Sequence, residues 1–191
     1  MELKELYVGC RTYRRFLQEP VEESVVREAL ENARIASCGA NAQALYYVAV
    51  TSKEMVEAMQ PLVKFAAYLP PEIGMPKKGE QPVGFIVIVK KPGAGAFSDV
   101  DVGIAANTIA TSLWEHGVGS CLMGAINIKK IAELLAIPEE DTIRLAISYG
   151  KPAHTSTLVP VGEDGSIKYF VDEDRNYYVP KKAFDEVVRF V

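Results

Sequence analysis

Cysteine and histidine are scarce in this sequence. Its three cysteines, Cys10, Cys38 and Cys121, are an odd number with no CxxC spacing. That excludes a disulfide framework and reads as reduced thiols in a cytoplasmic protein. His116 and His154 are the only histidines, too little material for a histidine-based metal site, so no metal is expected. Long hydrophobic runs are missing as well. The run Val83 to Val89 is far too short to span a bilayer, and Met1 to Cys10 carries Glu2, Lys4 and Glu5 with no apolar stretch. Neither a membrane span nor a signal peptide is expected. There is no excess of positive charge: the net charge is -4, whereas a general nucleic-acid surface needs clustered Lys and Arg in excess. Several familiar signatures are also absent. Gly93-Ala94-Gly95 is half of a GxGxxG, Gly117-Val118-Gly119 follows a helix instead of a strand, and no Walker loop, GxSxG or HExxH occurs. A nicotinamide cofactor, if used, is not held by a Rossmann domain.

What the sequence does have is material for a core. Hydrophobic residues make up 49% and charged residues 24% of its 191 positions, and no repeat or linker divides it, so one domain over residues 1–191 is expected. Helical stripes are read near Leu3, Leu6 and Tyr7, over Val21–Arg34, and from about Lys53 to Met59. Leu45–Val50, Val83–Val89 and Ile143–Tyr149 read as strands. The Pro- and Gly-rich residues 70–82 read as a loop. From Asp101 to His116 apolar residues cover most of a helix, which places it either in a large core or in a subunit interface. Val118–Ile126 reads as extended, Lys129–Leu135 as a helix, Glu163-Asp164-Gly165 as a hairpin turn, and Ala183–Arg189 as a closing amphipathic helix. Strands separated by helices give an α+β or α/β reading.

Four segments could carry chemistry. Arg11-Thr12-Tyr13-Arg14-Arg15-Phe16 puts three guanidinium groups within five positions. Arg binds phosphate through paired, charge-assisted hydrogen bonds and Thr adds a hydroxyl donor, so burial of Tyr13 and Phe16 lets Arg11 and Arg14 converge on one anion. Taken alone the segment reads first as a solvated basic patch. Ala36 to Gln43 is a run of small residues with two amides, Asn41 and Gln43, suited to a flat ring and a donor–acceptor edge, or to a loop whose amides bind backbone. Gly119 to Gly124 offers backbone N–H groups that can stabilise charge on a bound ring, or is a strand with core side chains. Pro180-Lys181-Lys182 stands at the start of the last helix, where an anion is favoured, or is a solvated helix start.

In this order the four segments resemble the FMN-dependent nitroreductase family. Cys10 to Phe16 is similar to its R-R-S-x-R-x-F opening. Ala36 to Leu45 is similar to A-P-S-x-x-N-x-Q-P-W, Asp101 to Asn107 to D-x-G-x-A-A-x-N, and Gly117 to Gly124 to G-x-G-S-C-x-x-G. Gly79-Glu80-Gln81-Pro82 and Tyr178-Val179-Pro180-Lys181-Lys182 look like a short-chain branch. Cys10 departs from the pattern where many members carry Arg. The resemblance implies an α+β three-layer sandwich, with a central, mostly antiparallel sheet flanked by helices, working as an interlocked homodimer with FMN at the interface. It assigns Arg11, Thr12 and Arg14, with Lys181 or Lys182, to the FMN phosphate and ribityl chain. Asn41 and Gln43 fall to the pyrimidine edge, and backbone N–H groups near Met123 and Gly124 to N5 and O4.

The implied reaction is ping-pong hydride transfer from NADH or NADPH, through flavin N5, to a nitroaromatic, quinone or activated alkene. No catalytic side chain is required, because the cofactor carries the chemistry. Phe65 and Tyr68 are candidates for a lid over the pocket, or pack within a helix. The rival readings are a flavin-binding or sensor protein without turnover, a thiol-based redox protein using Cys38 or Cys121, and a dehalogenase-like enzyme on the same scaffold.

Overall fold

The strand expected at residues 83–89 is the centre of the molecule, and its own alternation explains the layering. A computed structural model describes residues 2–191. In chain order the elements are α1 (Leu3–Gly9), α2 (Glu23–Ile35), β1 (Leu45–Val50), α3 (Lys53–Met59), α4 (Pro71–Gly74), β2 (Gly84–Lys90), α5 (Ser98–Glu115), β3 (Gly119–Met123), α6 (Ile128–Leu134), β4 (Thr142–Gly150), β5 (Ser156–Pro160), β6 (Phe170–Val171), β7 (Tyr177–Lys181) and α7 (Phe184–Val187). Four strands form one antiparallel sheet in the order β1-β2-β4-β3. Successive side chains of β2 point to opposite faces. Phe85, Val87 and Val89 join a core with Val56, Met59, Cys121, Met123 and Ile131, under α3 and α6. Ile86 and Ile88 join a second core with Val26, Ala29, Val102, Ile109 and Leu113, under α2 and α5. The result is the three-layer α+β sandwich. A register shift between Ile88 and Val89 pairs Val89 with Ile143; such a bulge turns the side chains beyond it to the other face, and Ile143 packs in the α3/α6 core.

Several boundaries differ from expectation. α5 starts at Ser98, three positions before Asp101, and residues 70–82 contain the single turn of α4 with Pro71 at its first position, where its missing N–H costs nothing. The C-terminal region departs most. β5, β6 and β7 form a separate sheet in the order β5-β7-β6, with β5 parallel to β7 and β6 antiparallel to it. The turn at 163–165 exists, with Gly165 at φ +68° and its N–H donating to Gly162 O. It is not a hairpin turn, because β5 and β6 lie on opposite sides of β7. The closing helix is only Phe184–Val187, and Phe184, Val187 and Phe190 are exposed.

The N-terminal segment is laid along the sheet edge. Tyr13 N–H donates to Ser120 O at 2.8 Å, and Thr12 bridges Ser120 in parallel. This approach needs glycine: a Cβ on Gly119 would stand 2.7 Å from the Tyr13 ring.

Candidate functional site

Tyr13 and Phe16 are both buried, so the condition for the arginine segment to face one anion is met. Tyr13 stacks on Trp114 with ring centroids 4.9 Å apart, and Phe16 lies in the core at the Gly150 backbone. Anchored on both sides, the three arginines meet different fates. Arg15 is structural: it pairs with Glu80 at 3.2 Å and donates to the carbonyls of Asp174 and Arg175, each at 3.0 Å. Arg11 donates from Nη2 to Tyr7 O at 2.5 Å, while its buried Nε has no partner. Arg14 is 9% exposed, and its guanidinium lies 4.4 Å from the Tyr169 ring centroid and 4.8 Å from that of Tyr177. Cation–π contact offsets part of its desolvation. Among the described residues, however, no carboxylate or other acceptor takes a hydrogen bond from this side chain.

Because Thr12 and Tyr13 run beside β3, the arginine segment and the Gly-rich segment come together. Met123 is buried at the end of β3. Gly124 follows it with its backbone open, since a Cβ there would meet nothing within 4 Å. Tyr68 joins the same region. It is 60% exposed, its N–H donates to Tyr169 Oη at 3.3 Å, and the two rings lie 5.2 Å apart. Phe65 does not join it; this side chain is buried in the α3/α6 core, so it packs and does not form a lid.

The amides lie elsewhere in the chain. Asn41 and Gln43 occupy the loop before β1, whose Gly39 N–H donates to Asp101 Oδ1 at 2.8 Å, tying it to α5. Since β1 and β3 are opposite edges of the sheet and the arginine segment bridges the outer side of β3, four strand spacings, roughly 19 Å, separate this loop's edge from the arginine segment. Within one chain the amides and Arg14 do not converge. Ala40, Asn41 and Gln43 all have left-handed backbone, with φ of 50°, 52° and 47°. Such conformations cost roughly 1–2 kcal/mol for a residue with a Cβ, and strained backbone clusters where a loop presents groups to a ligand.

Lys181 and Lys182 are both exposed. Lys181 ends β7, four positions beyond Tyr177 and thus roughly 13 Å along the strand from it. The helix-start argument for these lysines fails, since α7 has one turn and Glu186 Oε1 already accepts the Ala183 N–H at 2.9 Å.

Cys121 and Cys10 are poorly placed for redox work. Burial pushes Cys121 up to about 11, although Arg14 opposes the shift, and burial likewise raises Cys10 against the pull of Arg11. Thiolates are the reactive form. Among the described residues there is no group of His, Cys, Asp and Glu that could hold a metal, and no helix is long and apolar enough to cross a membrane.

Sequence reasoning missed Tyr169, Tyr177 and His154. The available signal was the density of aromatics between Tyr169 and Tyr178 in an otherwise polar stretch.

Significant matches among curated proteins are absent. The chain is similar to the solved structure of a nitroreductase family protein from Clostridium novyi, with 20% identity over 80% of this chain and 86% of that one and a TM-score of 0.68. Nitroreductase A from Vibrio parahaemolyticus shows 20% identity over 82% of this chain and 70% of its own, with a TM-score of 0.64. An FMN-dependent nitroreductase from Clostridium difficile shows 20% identity over 78% and 90%, with a TM-score of 0.63. These likenesses speak for the fold. The sequence profile of the nitroreductase family matches residues 9–151, the stretch that runs from the arginine segment through β3 to β4, and the chain belongs to that family.

Proposed function

We propose that two copies of this chain bind FMN between them and work as an oxidoreductase that carries hydride from NADH or NADPH to a small organic acceptor. One observation carries the reading: Arg14 is 9% exposed, its guanidinium lies against two tyrosine faces, and among the described residues no acceptor takes a hydrogen bond from it. A buried charge in that condition is costly unless an anion completes it. The unpartnered Nε of Arg11 and the open backbone at Gly124 fit the same kind of occupant.

In this reading Arg11, Thr12 and Arg14, with Lys181 or Lys182, hold the phosphate and ribityl chain. Backbone N–H groups near Met123 and Gly124 face the reacting edge of the ring. Asn41 and Gln43 bind the pyrimidine edge, and the strand order supports their coming from the second copy. The exposed apolar residues Phe184, Val187 and Phe190 suit a C-terminal segment covered by that copy. When bound, FMN supplies the hydride relay, with the nicotinamide and then the acceptor (a nitroaromatic, quinone or activated alkene) taking turns in the pocket. The protein's task is to hold the reactants in register, which lowers a barrier by roughly 7–11 kcal/mol in favourable cases. Tyr68 stands beside Tyr169 at the rim and is the remaining lid candidate.

The test is direct. The purified protein, loaded with FMN, is yellow and is bleached by NADH or NADPH without oxygen. Arg14→Ala weakens FMN binding roughly tenfold or more, in line with a lost charge-assisted hydrogen bond. A chain that cannot be loaded with FMN, or an Arg14→Ala variant with unchanged affinity, overturns the proposal.

A further inference from the structure

His154 lies between β4 and β5. It is 8% exposed. Its Nε2 lies 3.0 Å from the backbone N of Arg14, and its Nδ1 lies 2.8 Å from the carbonyl oxygen of Thr155. A carbonyl can only accept and a backbone N–H can only donate. The ring is therefore fixed as one neutral tautomer, with the proton on Nδ1 and a lone pair on Nε2 aimed at Arg14. Its orientation is set by Tyr13 on one side, with centroids 5.3 Å apart, and Tyr177 on the other, at 4.8 Å. Tyr177 is also one of the two rings beneath the Arg14 guanidinium. One imidazole thus holds both the backbone of Arg14 and a wall of its side chain.

We infer that His154 is the positioning residue of the cofactor site: its neutral ring fixes the Arg14 backbone and so aims the Arg14 guanidinium at the anionic cofactor. This rests on the FMN reading above. The contact is intolerant of protonation. A proton on Nε2 would point at the Arg14 N–H and add a charge beside Arg14, Arg15 and Arg175. Tyr13 and Tyr177 supply no negative charge near neutrality, and the carboxylate of Glu80 is taken by Arg15 and Arg175. Burial, followed by those three guanidinium groups, pushes the imidazole down to about 4, against the pull of the Thr155 carbonyl. The site is therefore built to keep this ring neutral while it works.

The experiment is an FMN titration of the full-length protein as a function of pH, for wild type, His154→Gln and His154→Phe. Gln can put an amide oxygen in the place of Nε2 without titrating; Phe keeps a ring and removes the acceptor. At pH 7.5 the expected result is an FMN Kd raised roughly tenfold or more in His154→Phe and within about threefold of wild type in His154→Gln. Toward pH 4 wild type loses affinity more steeply than His154→Gln, the titration of the FMN phosphate being common to both. Amide hydrogen exchange at Arg14 is faster in His154→Phe, with or without FMN. Should His154→Phe not fold, the pH comparison with His154→Gln decides alone. Coincident pH profiles for wild type and His154→Gln, or wild-type affinity in His154→Phe, overturn the inference alone; a wild-type chain that binds no FMN overturns the functional reading with it.

Discussion

Arg14 and Arg15 are neighbours in sequence and opposites in environment. Arg15 finds a carboxylate and two carbonyls inside the chain; the Arg14 side chain finds two aromatic faces and, among the described residues, no acceptor. A guanidinium can be buried on either basis, but only the second leaves its donors for a ligand. The spacing of the arginines made an anion site an expectation. Which arginine is free was not legible there, because it depends on where Glu80, some 65 positions away, is placed. His154 illustrates the same point through stability. Its ordinary value is near 6.5 when unfolded, and burial holds it at about 4 when folded. Between those two values the unfolded chain binds a proton that the native chain refuses, so stability falls as pH drops. At about 1.4 kcal/mol per pH unit, roughly 3 kcal/mol is lost between about pH 6.5 and pH 4. Urea unfolding of wild type and His154→Gln across this range measures it, and the difference between the two curves should flatten above about pH 6.5.

At the scale of elements, the C-terminal sheet matters because it walls the arginine site, and one carboxylate fastens it. Glu80, in the loop before β2, accepts from Arg175 at 2.9 and 3.1 Å and from Arg15 at 3.2 Å. Arg175 also donates to the carbonyls of Ile73 and Met75. Burial by itself raises the Glu80 carboxyl, but the Lys77 amide and the two guanidinium groups more than offset it and leave it below its usual range. Replacing Glu80 by Gln leaves two largely buried arginines without their counter-charge. Its cost lies between the surface and buried limits for broken ion pairs, about 2 kcal/mol, and shows as a lower urea midpoint with weaker FMN binding. Because the Glu80 value is depressed, this contribution is present above about pH 4.5 and fades as acid protonates it. β5, β6 and β7 were not legible in the sequence. They are short, half-exposed strands without the unbroken apolar run that marks β2, and β5 and β7 pair across about twenty positions.

For the whole molecule the decisive fact is strand order. With β1 and β3 at opposite edges, the amide loop and the arginine segment of one chain lie far apart, and the proposed site draws on two chains. The prediction is a dimer by sedimentation, and complementation between defective chains. Arg14→Ala chains and Asn41→Ala/Gln43→Ala chains each bind FMN weakly alone. Co-expressed in equal amounts, half of the dimers are mixed and each of those has one intact site, so about one quarter of all sites recover wild-type affinity. If both segments served a site within a single chain, no mixture would restore any.

The sequence by itself determined what local pattern and composition encode: the apolar period of β2, the helical stripes of α2 and α5, and the chemical types of the site segments. Those properties act over a few residues and need no knowledge of what lies across the fold. Only the tertiary structure decided that Phe65 belongs to the core, that Arg15 rather than Arg14 finds a carboxylate, that a distant histidine holds the Arg14 backbone, and that the amide loop lies at the opposite edge of the sheet. Each of these outcomes depends on burial and on partners tens of residues away, and burial is a property of the packed chain.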